Sequence, residues 1–136
     1  MRISPRVRGA IRAWFAINFI VVGITHFTHE SLFLAIVPPW LPAPLAMVHI
    51  SGVAEIAGGV GLLVPKVRRA AGWGLLALLV AVYPANIHMA INEVYLPVDW
   101  IPQNPLGLWL RLPFQFIFAL GVWIAMRDET EGEPAD

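Results

Sequence analysis

Cysteine is absent from the 136-residue chain, and charged side chains are scarce. Without cysteine the chain can form no disulfide, no thiolate metal site, no thiol–disulfide relay and no iron–sulfur cluster held by its own residues. Charged residues make up 13% of the chain, against about 25% in a typical soluble domain. Nine basic and nine acidic side chains give a formal net charge of zero, so no nucleic-acid partner is expected.

Hydrophobic residues, in contrast, make up 58% of the chain. Four apolar stretches are each long enough to cross a hydrocarbon core, which needs roughly 20 residues. They run approximately over residues 11–27, 44–64, 70–90 and 106–126. We expect the first to be a membrane span and not a cleavable signal peptide, because no small-residue cleavage site follows it. Residues 1–136 are therefore predicted to form a single all-α membrane domain, an antiparallel four-helix bundle.

Lysine and arginine are missing from two of the three loops between these stretches, residues 28–43 and 91–105. The basic residues other than Arg111 lie before or at the start of the first stretch, in the short turn "KVRR" at 66–69, and after the fourth stretch. Because cytoplasmic loops carry an excess of Lys and Arg, this distribution predicts that both termini and the KVRR turn are cytoplasmic. We expect a multi-pass protein of the bacterial inner membrane, with the lipid bilayer as its first partner.

Glu55 lies in the middle of the second stretch, where a carboxylate costs several kcal/mol unless it is paired or hydrated. It follows Pro44 by eleven residues, which at 1.5 Å per residue is about 16 Å, near the midplane of a core about 30 Å thick. The small residues at helical spacing from it are Ser51, Gly52, Gly58 and Gly59. Because small residues let another helix approach closely, we expect Glu55 to face protein or a cavity and not lipid.

Other polar side chains within or beside the stretches lie nearer the predicted outer side than Glu55 does. The candidate ligand-binding residues are His26, His49, Tyr83, Asn86, His88, Arg111 and Gln115. We interpret them as a polar funnel open to the outer face, with Glu55 at its floor as the catalytic, proton-exchanging residue. Arg111 is the intramembrane cation expected to balance Glu55. The Cα atoms of Glu55 and Arg111 are expected to differ by roughly 10 Å in depth, which favours contact through water, Gln115 or a ligand over a direct salt bridge. No metal site is predicted.

Each of these residues also has a structural alternative. Polar side chains in membrane bundles often only join helices, a contribution of about 0.6 to 2 kcal/mol. Asn86 could instead satisfy the carbonyl of Val80, which loses its helical donor to Pro84. His26, His49 and His88 could be hydrated side chains near the membrane surface.

Several motifs resemble those of the DoxX family of small four-helix bacterial membrane proteins. They are "GITHF", "PPWLP", "ISGVAEIAGGVGLLVPKVRRAAGWGLL" and "VYPANIHMA". The resemblance covers most of residues 15–91, and the fourth stretch matches only in hydropathy. The residues at the family's motif positions are Gly23, His26, Pro39, Gly52, Glu55, Pro65, Arg68, Asn86 and His88.

The resemblance implies a role beside a quinone, because the family takes its name from a membrane subunit of a thiosulfate–quinone oxidoreductase. Three hypotheses follow. In the first, the chain is an oxidoreductase subunit that binds a quinone or small aromatic molecule without a covalent cofactor and works with a redox partner protein. His26, Asn86 and Arg111 then hold the ring oxygens while Glu55 exchanges protons. The second is a non-catalytic membrane scaffold or assembly factor. The third is a small-molecule or proton carrier.

Overall fold

A computed structural model describes residues 2–128, and the regular elements of that part are all helices. In chain order they are α1 (Pro5–Thr28), α2 (Glu30–Leu34), α3 (Pro44–Leu63), α4 (Arg68–Asn92) and α5 (Pro105–Ala125). The expected all-α fold is confirmed. The helices α1, α3, α4 and α5 are long and apolar enough to cross a membrane.

The helix ends follow local capping chemistry that a hydropathy reading does not detect. α1 begins at Pro5 and not near residue 11, because proline suits the first turn and the Ser4 hydroxyl accepts a hydrogen bond from the Val7 N–H at 3.3 Å. α5 begins in the same way at Pro105, with the Asn104 side chain accepting from the Gly107 N–H at 2.8 Å. The short helix α2 lies in a loop where hydropathy predicts no helix.

The four long helices pack in a ring, with α1 between α3 and α5, and α4 between the same two helices. Glycines set the closest approaches. A Cβ added at Gly23 of α1 would lie 2.8 Å from the carbonyl oxygen of Gly52 on α3, and one at Gly59 would lie 2.8 Å from the carbonyl oxygen of Ala16. These contacts confirm that the small residues around Glu55 admit a neighbouring helix, and they bring late residues of α1 beside early residues of α3.

Buried apolar side chains form two clusters. The larger cluster consists of Phe15, Ala16, Phe19, Leu62, Leu75, Val122, Ala125 and Met126. The smaller consists of Met89, Ala90 and Leu108. Much of the remaining apolar surface points away from the bundle, as Val80 and Phe116 show with exposed fractions of 74% and 67%.

Arginines close the end of the bundle that contains the start of α1. Buried Arg12 donates from Nε to the Ala125 carbonyl and from Nη2 to the Arg127 carbonyl, both at 2.9 Å. Arg68 donates from Nε to the Leu62 carbonyl, also at 2.9 Å. These cations satisfy carbonyls at the C-terminal ends of α5 and α3, where the helix dipole favours positive charge. The basic residues that the sequence reading treats only as orientation signals therefore also hold helix ends together.

Candidate functional site

His26 and Glu55 form a buried pair between α1 and α3. The His26 Nε2 atom lies 3.4 Å from the Glu55 Oε2 atom, and the two side chains are 8% and 15% exposed. Gly52, one turn before Glu55, makes room for the imidazole, since a Cβ there would lie 2.7 Å from the His26 Cβ. The close glycine packing of the two helices thus sets the position of the pair.

A backbone carbonyl fixes which nitrogen of His26 carries a hydrogen. Nδ1 lies 2.8 Å from the Val48 carbonyl oxygen, and because a carbonyl can only accept, Nδ1 must donate. Nε2 is then the atom that faces Glu55. A hydrogen bond between the two side chains needs one further proton, on Nε2 as an imidazolium or on Oε2 as a carboxylic acid. The geometry therefore suits a pair that shares one proton.

The Glu55 Oε2 atom has unused bonding capacity. It is buried, and it has no hydrogen bond to any of residues 2–128. Its 3.4 Å separation from His26 Nε2 exceeds the usual 2.7–3.2 Å of an N–H···O bond. Buried polar atoms normally have a partner, so Oε2 is the atom of this site best suited to receive one from a ligand.

The α2 segment packs against the His26 side of the pair. The Phe33 ring stacks on the His26 ring with the centroids 3.7 Å apart and the planes 27° apart. Beside this contact, His49 Nε2 lies 2.9 Å from Glu30 Oε1, and both side chains are partly exposed. The His49 ring also stacks on Phe27, at 5.0 Å. Sequence reasoning assigned no site role to Phe33, Glu30 or the Val48 carbonyl, because no spacing rule connects a short loop helix to the span beneath it.

A second polar cluster joins α4 and α5. The Asn86 amide donates to the Gln115 side-chain oxygen at 2.7 Å, and the Gln115 amide donates to the Leu79 carbonyl. This hydrogen bond of Asn86 therefore goes to α5 and not to the Val80 carbonyl. Tyr83 and Gln115 line a cavity of about 300 Å³ between these helices.

Arg111 and His88 have other contacts on the α4–α5 side of the bundle. Arg111 Nη1 contacts the Met89 sulfur at 3.7 Å, and its side chain lines another cavity, of about 140 Å³. The His88 Nδ1 atom lies 3.0 Å from the amide nitrogen of Asn92, one turn further along α4. No salt bridge joins Glu55 and Arg111 among residues 2–128, as the expected depth difference predicts, and the neighbour of Glu55 is His26. The residues of the predicted funnel thus have their contacts in several places.

The depth expected for His26 changes, because its Cβ packs against Gly52 and His26 therefore lies farther into the bundle than a count from the end of α1 gives, about one turn from the level of Glu55. The sequence-based ranking counted the depth of each residue from the end of its own helix. It therefore assumed that the ends of the helices lie at the same depth. The Gly23–Gly52 contact and the His26–Val48 hydrogen bond show instead that α1 ends beside the body of α3. α2 then packs against both helices. Depth within one helix could be counted from the sequence, but the offset between two helices could not.

No group of three or more His, Cys, Asp or Glu side chains among residues 2–128 could hold a metal ion. The polar groups at the His26–Glu55 pair are instead suited to hydrogen bonding and proton transfer.

No curated protein and no solved structure matches the chain. The model of a family described as Domain of unknown function (DUF8561) matches residues 15–126, a region that includes both His26 and Glu55. The match covers most of the chain, which therefore belongs to the DUF8561 family.

Proposed function

We propose that this protein is a membrane-embedded subunit of a redox system and that it binds a quinone or another small aromatic molecule at the His26–Glu55 pair. The observation that carries the proposal is the buried Glu55 Oε2 atom, which has no hydrogen bond to residues 2–128 and lies beside a histidine whose other nitrogen is already engaged. The shared motifs of the DoxX family, which include both residues, support the same ligand class.

The proposal that the protein lies in a membrane rests on the exposed apolar surfaces of the long helices. No more than 28% of the most apolar window of any of them is buried inside the bundle, so most of their apolar surface needs a non-aqueous surrounding. We propose antiparallel spans with both termini on the cytoplasmic side of the inner membrane, because the loops at 28–43 and 91–105 lack Lys and Arg.

Cysteine labelling tests this orientation, and the cysteine-free chain is a ready background for it. A membrane-impermeant maleimide should label Asp99→Cys in intact cells, and Lys66→Cys only after the membrane is opened. Both positions are exposed in the bundle. Labelling of Lys66→Cys alone in intact cells would reverse the proposed orientation.

The chemistry follows from what a quinone requires. Reduction of a quinone to a hydroquinone consumes two electrons and two protons. In this proposal the electrons come from a redox partner protein, and the His26–Glu55 pair passes protons to the ring oxygens one at a time. Glu55 is the group that exchanges the proton. His26 holds its orientation through Val48 and can carry the proton as an imidazolium.

A binding measurement in lipid nanodiscs tests the site. A short-chain quinone analogue should bind the wild-type protein with a pH-dependent affinity. Glu55→Gln keeps the shape of the side chain and removes the titration, so we expect Kd to rise about tenfold, equivalent to about 1.4 kcal/mol, and the pH dependence to disappear. Asn18→Ala is the control, since the Asn18 amide donates to the Trp14 carbonyl of its own helix at 2.8 Å. If Glu55→Gln leaves both affinity and pH dependence unchanged, the site proposal fails.

A scaffold is the second candidate, favoured by the position of the pair in the interface between α1 and α3. In a scaffold the pair would only join these helices. Glu55→Gln would then change the free energy of unfolding, and the wild-type protein would show no saturable quinone binding.

A further inference from the structure

α2 is a short element at the surface of the bundle. It has five residues, none of them fully buried, and no side chain caps its N-terminal end. Two of its side-chain contacts with the long helices are the Phe33–His26 stack and the Glu30–His49 pair. Glu30 and His49 are partly exposed, at 40% and 36%, so water competes for this ion pair and weakens it. An element held in this way can open without unfolding the bundle beneath it.

The Phe33 ring covers a face of the imidazole next to the atoms with proton-transfer chemistry. Other parts of His26 are already engaged: Nδ1 bonds to Val48, and Cβ packs against Gly52. Phe33 offers His26 a planar ring and no hydrogen-bonding atom. A flat ligand ring that carried a carbonyl or hydroxyl group could make the same stack and also reach Glu55.

We infer that Phe33 occupies the place of the ligand's ring on His26, and that α2 is a plug which a planar aromatic ligand displaces. The inference rests on the proposed function and specifies its ligand as a flat ring with a polar group at its edge. The ligand replaces one ring stack with another of similar strength, so its net gain is the hydrogen bond to Glu55 Oε2. An aliphatic or non-planar molecule cannot replace the stack and is excluded by Phe33.

The plug can be tested without any ligand, through the reactivity of His26 with diethyl pyrocarbonate followed by mass spectrometry. Phe33→Ala should raise the rate of His26 modification about tenfold, because the reagent can then reach the imidazole without the opening of α2. Glu30→Gln, which removes the ion pair with His49 and leaves Phe33 in place, should give a smaller rise in the same direction. His88 on α4 is the internal reference and should react at an unchanged rate.

Quinone binding provides the second test. Removing the internal competitor should lower the Kd of a short-chain quinone several-fold in Phe33→Ala, whereas Glu55→Gln raises it. If circular dichroism shows that Phe33→Ala is poorly folded, Phe33→Leu is used in its place. Leucine keeps the bulk of the side chain but cannot stack, so the Kd should fall in the same direction. Unchanged His26 reactivity, or weaker quinone binding, in folded Phe33 variants overturns the plug. Quinone that binds neither the wild-type protein nor any variant overturns the proposed function, and the plug is then judged on His26 reactivity alone.

Discussion

The two sides of the bundle are joined by different kinds of polar contact. Between α4 and α5, Asn86 and Gln115 make a neutral amide hydrogen bond at 2.7 Å. Between α1 and α3, a carboxyl and an imidazole lie 3.4 Å apart, and one buried carboxyl oxygen has no hydrogen bond to residues 2–128. Amides join membrane helices at lower cost than an ionisable group does. The carboxyl between α1 and α3 is therefore the costlier of the two contacts, and the proposed proton exchange rests on this difference.

The largest expected effect is a loss of stability when the glycine packing between α1 and α3 is disturbed. In Gly23→Ala the new Cβ would meet the Gly52 carbonyl oxygen at 2.8 Å and the Ile56 nitrogen at 3.0 Å. Because these are backbone atoms, the helices must move apart, and we expect the free energy of unfolding to fall by about 2 kcal/mol. Unfolding by SDS in mixed micelles measures the loss.

Gly74→Ala on α4 is the matched control for that substitution. Nothing lies within 4 Å of a Cβ added at Gly74, so alanine should be neutral or stabilise the helix by up to about 1 kcal/mol. Equal destabilisation by the two substitutions would show that the Gly23–Gly52 contact has no special role.

An intermediate effect tests whether the α4–α5 amides only join helices. A double-mutant cycle with Asn86→Ala and Gln115→Leu should give a coupling free energy of about 0.6 kcal/mol, typical of interhelical hydrogen bonds in membranes. Both variants should keep the quinone affinity of the wild-type protein within about twofold, which is less than 0.5 kcal/mol. A tenfold loss of affinity in either would move the ligand to the α4–α5 side.

The smallest effects are expected at His88 and Arg111, the candidate residues whose contacts are with members of neither polar cluster. His88 bonds to Asn92 of its own helix, and Arg111 contacts Met89. His88→Ala and Arg111→Gln should each change quinone affinity by less than about twofold. A large loss in Arg111→Gln, measured in the same nanodisc assay, would restore Arg111 as the partner of the ligand or of Glu55.

The sequence predicted the long helices because hydropathy and length alone define them, and all four predicted stretches lie on helices. It did not predict α2, because five residues shortly before a proline-rich segment carry no periodicity to read. Helix starts at Pro5 and Pro105 depended on capping, which extends a helix beyond its apolar run.

The site was predicted in part. Glu55 stood out because a buried carboxyl is rare and costly in any span. Its neighbour His26 was among the candidates, but the contact between them depends on the offset of α1 against α3, which glycine packing determines. Phe33 could not be identified, since an aromatic residue in an apolar loop is an ordinary observation until the fold brings it onto His26.

Infrared difference spectroscopy of the protein in lipid nanodiscs tests the shared proton most directly. As pH is varied, the wild-type protein should show a C=O stretching band of a protonated carboxylic acid that is missing from Glu55→Gln. The same band should shift in His26→Gln, which removes the imidazole that shares the proton. Addition of a short-chain quinone analogue should perturb the band in the wild-type protein. If no band depends on Glu55 at any pH, or if neither His26→Gln nor the quinone analogue alters it, the pair does not exchange a proton and the account is contradicted.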